Sequence, residues 1–259
     1  MVAKVFLLTL LVAVASATSV TQDTSMVGYR KAMDMFLDAW KKMMPCGFPS
    51  QNIPVLAPLK VDFYAFNYVN GETNLAGNVS NIRISGLNNF HVLSGSYDPN
   101  TLHATFDLMY PEIQILGSYE VEGTIGIGGF PMPIRQSVLI NKKLSDWRYV
   151  GDYTFAQSLN NSNGLRIADF NLQYFVADVQ ADNWDKFMDI AANNYFNSFI
   201  SSFSLLFTEE IQPYVNSLYE KYTLPVLNDL LSNMDMTQLT DYLLMQAEMW
   251  SNAVCTVKA

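Results

Sequence analysis

The chain contains 259 residues, of which 50% are hydrophobic and 15% are charged. This apolar, weakly charged composition excludes intrinsic disorder, which requires few apolar residues and a high net charge. Acidic residues outnumber basic residues by 24 to 15. Because a negative surplus repels phosphate backbones and anionic membrane surfaces, the composition argues against nucleic acid as a partner.

Residues 1–17 have the pattern of a secretory signal peptide. Lys4 supplies a positive start, residues 5–14 form an apolar run, and small residues at 15–17 precede the expected cleavage. The mature protein is therefore predicted to be secreted and extracellular, with a single domain over residues 18–259. Later apolar runs are too short to span a bilayer, so stable membrane insertion is not expected.

Secretion also affects how the cysteines and asparagines are interpreted. Cys46 and Cys255 are the two cysteines, and an even number in an oxidising compartment favours one intramolecular disulfide. Two free or separately paired thiols are the alternative. Asn78 and Asn160 each begin an Asn-x-Ser sequon, which predicts N-glycosylation at both.

The first predicted element of the mature chain is an amphipathic helix over residues 24–44. Apolar residues, among them Tyr29, Phe36 and Trp40, recur there at steps of three and four residues. Pro45 is expected to end the helix. A proline-rich connector, predicted to be extended and rigid, follows it.

Residues 60–180 predict a long antiparallel sheet. Apolar and polar residues alternate in this region, which predicts separate strands around 101–108, 113–115, 138–140, 149–155 and 172–176, and turn signals fall at 70–71, 98–100, 128–129 and 161–164. Consecutive strands joined by short turns, without intervening helices, indicate a meander rather than a βαβ arrangement.

Residues 182–253 are predicted to be helical, with a final helix over about 236–250. The first part carries an apolar stripe so wide that the helix must be buried on several sides. The predicted fold is therefore α+β, with a long curved antiparallel sheet wrapped around a long C-terminal helix and an N-terminal amphipathic helix beside it. The residues predicted to line an apolar ligand wall on the long helix are Phe187, Tyr195, Phe199 and Phe203.

Catalytic and metal-binding motifs are not recognisable, so the chain is not predicted to be an enzyme or to hold a cofactor or metal. His91 and His103 are the only histidines, and both lie in strand-like stretches without a nucleophile elbow or zinc-ligand spacing. The glycine-rich stretch 123–129 is followed by a Phe-Pro sequence instead of a helix, which favours a sheet bend over a phosphate loop. Glu120 and Glu122 are expected on one solvated face of a strand.

The connector carries the most specific resemblance to known proteins. Cys46-Gly47 followed by the segment IPVLAPL at 53–59 resembles the group 7 mite allergens and their insect relatives. More distantly, the chain resembles the takeout and juvenile-hormone-binding proteins of the tubular lipid-binding superfamily. The resemblance covers the mature chain in element order, and the residue-level match is confined mainly to 44–63. Takeout-like members usually carry two neighbouring cysteines near the N-terminus; Cys46 stands alone there, which favours the allergen-like branch.

The resemblance implies a curved sheet around a long helix, with an apolar tunnel for a hydrophobic ligand. The predicted function is therefore a secreted carrier of a lipid-like or terpenoid small molecule. Thirteen methionines and 16 phenylalanines fit an adaptable apolar cavity. The alternative is an extracellular interaction protein of innate immunity or the digestive tract that acts through its surface, which a basic patch at one tip of the fold would favour.

Overall fold

A computed structural model describes residues 26–127, 130–181, 194, 197–198, 201–202, 216–217 and 219–252. Its helices are α1 (Met26–Met43), α2 (Leu224–Leu231) and α3 (Met236–Ser251), with a 3-10 turn at Pro49–Gln51 and a π-helical turn at Tyr219–Thr223. Its strands are β1 (Leu59–Asn70), β2 (Thr73–Ser85), β3 (His91–Asp98), β4 (His103–Ile127), β5 (Phe130–Gln157), β6 (Leu165–Phe175) and β7 (Asp178–Ala181). The predicted helices over 24–44 and 236–250 and the predicted sheet over 60–180 are confirmed.

The strands form one antiparallel sheet in the order β1-β2-β4-β5-β6, with β3 paired to β4 and β7 paired to β5. The hairpin of β4 and β5 is its longest unit, since the pairing runs from His103 opposite Thr154 to Ile127 opposite Phe130. At roughly 3.3 Å per residue, the 25 residues of β4 extend over about 80 Å. The sequence prediction divided this hairpin into shorter strands, which is wrong. The turn predicted at 128–129 lies outside the described residues.

An interruption divides the sheet into two parts. We call the part that contains β4 up to Tyr110 the near half, and the part that contains β4 from Glu112 onward the far half. Asp146 has a left-handed backbone (φ 48°) and interrupts β5 across from Pro111 of β4. Before this point the buried apolar residues of β4 are even-numbered, as in Phe106 and Leu108, and after it they are odd-numbered, as in Ile113. Because successive side chains of a strand alternate between faces, the interruption changes which residues face the core.

The hydrophobic core lies on the near half of the sheet. α1 buries Phe36 and Trp40 against Trp250 of α3, with ring centroids 4.9 and 5.3 Å apart. Two turns earlier on the same face of α1, the Tyr29 hydroxyl hydrogen-bonds to that of Tyr153 on β5 at 3.0 Å. The core therefore joins the first helix, the last helix and the sheet.

Polar side chains attach the proline-rich connector to this core. The indole Nε1 of Trp250 donates to Gln51 Oε1, and Gln51 Nε2 donates to Gln246 Oε1, each at 3.0 Å. The structure describes Cys46 directly after α1, and no described cysteine is free. Cys255 and the signal peptide at 1–17 lie outside the described residues, so the Cys46–Cys255 disulfide and the cleavage stay predictions.

Candidate functional site

The far half of the sheet has an inner face, on the same side as the core, that is mostly apolar, although Gln136 and Lys142 of β5 also lie on it. Residues that lie directly opposite one another on neighbouring strands share a face. The pairing therefore places Tyr64, Val79 and Tyr119 in one row and Phe66, Gly77 and Val121 in the next. We call this surface, with Ile140 of β5 added from the same side, the inner apolar face.

The inner apolar face continues directly from the hydrophobic core. Ile113, Ile115, Tyr119 and Val121 alternate along β4 and so lie on one side of it. Ile113 is fully buried (0% exposed) and Ile115 packs against the core, whereas Tyr119 and Val121 are only half-buried. Tyr64, in the row of Tyr119 but on the edge strand β1, is 53% exposed, and Met132, opposite Ile125 near the far tip, is 53% exposed as well. Burial therefore decreases outward from the core, although most of the side chains on this face are apolar.

Gly77 shows how closely the inner face is packed within its own strands. A Cβ atom at Gly77 would lie 2.2 Å from the carbonyl oxygen of Glu120 and 2.9 Å from Cζ of Phe66. The ring of Phe66 thus lies over the glycine of the neighbouring strand. The absence of a side chain at this position keeps the aromatic ring flat against the sheet.

A group of aromatic residues lies where the near and far halves meet. We call it the tyrosine cluster, and its members are Tyr110, Trp147, Tyr149, Tyr174 and Tyr219. The ring centroids of Trp147 and Tyr149 are 4.9 Å apart, and those of Tyr110 and Tyr174 lie 6.0 and 6.4 Å from Tyr149. Tyr219 comes from the π-helical turn, a local geometry that is frequent at functional sites.

The tyrosine cluster combines polar groups with burial. Burial raises the pKa of Tyr110 and Tyr149, and the neighbouring hydroxyls of Tyr219 and Tyr110 raise the pKa of Tyr149 further. Burial also raises the pKa of Tyr219 to about 12. These hydroxyls are therefore neutral donors at ordinary pH.

The indole nitrogen of Trp147 is a second kind of donor in the cluster. Its Nε1 is buried and has no hydrogen-bond partner. Native structures satisfy the large majority of buried polar atoms, and an unsatisfied one costs about 1–3 kcal/mol. An acceptor oxygen brought into the cluster would satisfy this donor.

The outer face of the sheet carries the ionisable groups that the sequence analysis considered for catalysis. His91 and His103 begin β3 and β4, which confirms their placement in strands. His103 Nε2 lies 3.3 Å from Asp152 Oδ2 on the neighbouring strand. Glu120 and Glu122 are both exposed on β4, as predicted. Among the described residues, no three His, Cys, Asp or Glu side chains come together as a metal site.

The four residues predicted to line the ligand wall, Phe187, Tyr195, Phe199 and Phe203, lie outside the described residues, so their roles stay predictions. Seven residues of the same region are described, and all are helical. The backbone N–H of Ala181 donates to Ser201 Oγ, and the Asn216 amide donates to the carbonyl of Leu172, each at 3.0 Å. Ser201 and Asn216 therefore contact β7 and β6.

The tyrosine cluster was not predicted from the sequence. Its members come from three separate strands and from the π-helical turn, so no local pattern marks them. The count of 14 tyrosines is the one sequence feature that could have drawn attention to them.

An antiparallel sheet whose apolar inner face extends beyond its packed core, with terminal helices on that core, is the tubular lipid-binding fold. Among the described helices, none is long and apolar enough to cross a membrane. The chain belongs to the haemolymph juvenile hormone binding protein family, whose model matches residues 5–241. This finding and the structure confirm the predicted fold class and the resemblance to juvenile-hormone-binding and takeout proteins.

Comparison with solved structures agrees on the fold. The chain is similar to Takeout 1 of Epiphyas postvittana, with 15% identity over 78% of this chain and 91% of that chain and a TM-score of 0.50. Weaker similarities are to a lipopolysaccharide binding protein (8% identity, 82% and 39% of the two chains, TM-score 0.34) and to latherin (12%, 87% and 82%, 0.22). No curated protein matches the chain by sequence.

Proposed function

We propose that the protein is a secreted carrier that binds a hydrophobic small molecule or lipid against the inner apolar face. The observation that carries the proposal is the decrease of burial along that face, from Ile113 in the core to Tyr64 and Met132 at 53% exposed. Apolar surface that the described side chains leave uncovered is stabilised by a ligand at roughly 25 cal/mol per Å² of area removed from water. Family membership supports the same reading.

The second wall of the binding site is proposed to come from residues 182–217. Phe187, Tyr195, Phe199 and Phe203 belong to this stretch and would face the ligand from the side opposite the sheet. The hydrogen bonds of Ser201 and Asn216 to β7 and β6 support a position close to the sheet.

The tyrosine cluster is proposed to hold the polar end of the ligand. It lies at the junction of the two halves, with Tyr110 three residues before the buried Ile113 at the inner end of that face, so a ligand lying along the face would end against it. Neutral tyrosine hydroxyls and the Trp147 Nε1–H are donors, and they match an ester, ether, carbonyl or hydroxyl oxygen. The favoured ligand is therefore a long apolar molecule with one oxygen-bearing end, as in an oxygenated terpenoid or a fatty acid ester.

Native mass spectrometry of the full chain, secreted from eukaryotic cells, tests this function before and after organic extraction. We expect a co-purifying mass that extraction removes and that an oxygenated terpenoid or lipid from a defined panel restores. The protein should begin at Thr18, which tests the signal peptide in the same spectrum. An unliganded mass that no member of the panel changes would contradict the carrier function and favour the surface-acting alternative.

A further inference from the structure

The outer face of the far half, opposite the inner apolar face, contains a groove of about 640 Å³. Its floor is the row that Ala65, Asn78, Glu120 and Ser137 form across four strands. Phe63 stands at one side of the groove and is 62% exposed. The groove is thus an open, mostly polar surface with an aromatic ring at its rim.

A glycosylation sequon lies in the floor of this groove. The hydroxyl of Ser80 donates to Asn78 Oδ1 at 3.3 Å, and Asn78 Nδ2 donates to Glu120 Oε2 at 3.3 Å. Phe63 pairs directly with Ser80, so its ring and the sequon share the outer face. The acceptor amide therefore points outward into the groove, although it belongs to the middle of β2.

We propose that an N-linked glycan on Asn78 occupies the outer groove, with its first sugar packed over Phe63. In the attachment step, Asn78 Nδ2 forms a bond to C1 of N-acetylglucosamine, and the bond between C1 and a lipid-linked diphosphate donor breaks. The lipid diphosphate leaves, and the amide proton passes to the transferase. Attachment precedes folding of the strand, so the finished fold needs only an outward direction for the side chain.

The composition of the groove matches a carbohydrate. A sugar ring presents an apolar C–H surface, which packs on an aromatic face, and hydroxyl groups, which need polar partners. Phe63 offers the former, whereas Glu122, Arg135 and Ser137 offer the latter. A lipid would not satisfy these charged side chains, and burying them unpaired would be unfavourable.

The same glycan would protect an exposed sheet edge. β1 is the first strand in the sheet order, and no described strand pairs with its other side. Its outward residues Phe63 and Val69 are 62% and 68% exposed. Long apolar edge strands promote aggregation unless they are covered, and a bulky hydrophilic glycan beside β1 covers the row that contains Phe63.

The second sequon supplies an internal control. Asn160 is exposed in the connection between β5 and β6. The full chain, secreted from eukaryotic cells, is treated in its native state with peptide-N-glycosidase, and release at each site is followed by mass. We expect both sites to be occupied and release at Asn78 to be about tenfold slower than at Asn160, because packing protects the first sugar.

Variants of Phe63 test whether packing of the first sugar on this ring, and not merely the position of Asn78 within a strand, slows release of the glycan. Phe63→Ala should accelerate release at Asn78 by about three- to tenfold, with release at Asn160 unchanged, whereas Phe63→Tyr keeps the ring and should remain slow. Ser80→Ala removes the first sequon and should produce higher-mass species in size-exclusion chromatography that Ser162→Ala does not.

An unmodified Asn78 in the wild-type protein, equal release rates at the two sites, or no effect of Phe63→Ala would each overturn the proposal. Equal chromatograms for Ser80→Ala and Ser162→Ala would overturn the protective role of the glycan. None of these readouts depends on ligand binding, so they stand apart from the carrier function.

Discussion

Replacing Val121 with aspartate would place a carboxylate in the middle of the inner apolar face. Val121 is half-buried, beside Gly77 and Gln136 of the neighbouring strands. The matched control is the same chemical change at Val69, which lies on the outer face and is 68% exposed. The two variants carry identical charge and differ in the face that receives it.

The expected magnitude follows from the lost contact and the cost of desolvation. Covering the exposed half of a valine side chain contributes about 0.8–1.5 kcal/mol, and taking an unpaired polar group out of water costs about another 1–3 kcal/mol. Val121→Asp should therefore weaken ligand binding by about 3 kcal/mol, or a hundredfold or more in Kd. Val69→Asp should change Kd by no more than about twofold, since exposed substitutions away from a site stay within about 0.5 kcal/mol.

Displacement of a fluorescent fatty acid, measured for folded protein confirmed by circular dichroism, distinguishes the two variants. Val121→Phe serves as a second variant, because it blocks the same position by volume without introducing charge. Equal Kd values for wild type, Val121→Asp and Val121→Phe would refute the assignment of the inner apolar face as the binding surface. A loss of binding in Val69→Asp would refute it as well.

Three further predictions concern the tyrosine cluster and the last helix. Trp147→Phe should weaken the binding of oxygenated ligands by about two- to tenfold relative to that of a hydrocarbon of equal length, because one hydrogen-bond donor worth about 0.5–1.5 kcal/mol is lost. An equal loss of affinity for both ligands in calorimetry would contradict the role of the tyrosine cluster in holding the polar end of the ligand. Burial raises the pKa of Tyr219 to about 12. The neutral buried hydroxyl therefore stabilises the fold fully below pH 10. This stabilisation is lost as the pH rises to about 12, at up to about 1.4 kcal/mol per pH unit. Alkaline denaturant titrations should show this slope reduced in Tyr219→Phe, and an unchanged slope would argue against the burial. Asp235 caps α3, because its side chain accepts a hydrogen bond from the backbone N–H of Gln238 at 2.8 Å. Asp235→Ala should therefore lower the free energy of unfolding by about 1 kcal/mol. The control Asp241→Ala, on the exposed side of α3, should have less than half that effect.

Elements with a strong local period were predicted closely. The helix expected over 24–44 is Met26–Met43, and the helix expected over 236–250 is Met236–Ser251. Each carries an apolar stripe at helical spacing, and Pro45 lies just beyond the end of the first. The capping box at Asp235 was also available in the sequence, as an aspartate followed three residues later by glutamine, and was not used.

The β4–β5 hairpin shows where local reasoning failed. Pro111 and the residues around Asp146 lack a simple alternating pattern, so each long strand was predicted as shorter pieces. In the structure the strands continue because the irregular residues lie across from each other. Pro111 and Asp146 are 35 positions apart in the sequence, and because they lie across from each other, both strands change face at the same place and the pairing continues. No window of a single strand contains both residues.

Composition and local pattern therefore determined much about this protein: an expected secretory leader, an acidic apolar-rich chain, helices at both ends of a long antiparallel sheet, and two sequons. They are readable because each depends on consecutive residues or on simple counts. Only the tertiary structure decided which sheet face is apolar beyond the core, that Tyr110, Tyr149 and Tyr219 meet at the junction of the two halves, and that Asn78 faces a groove beside Phe63. These features depend on strand register and on the Pro111–Asp146 interruption, which reverses the side of every residue that follows it.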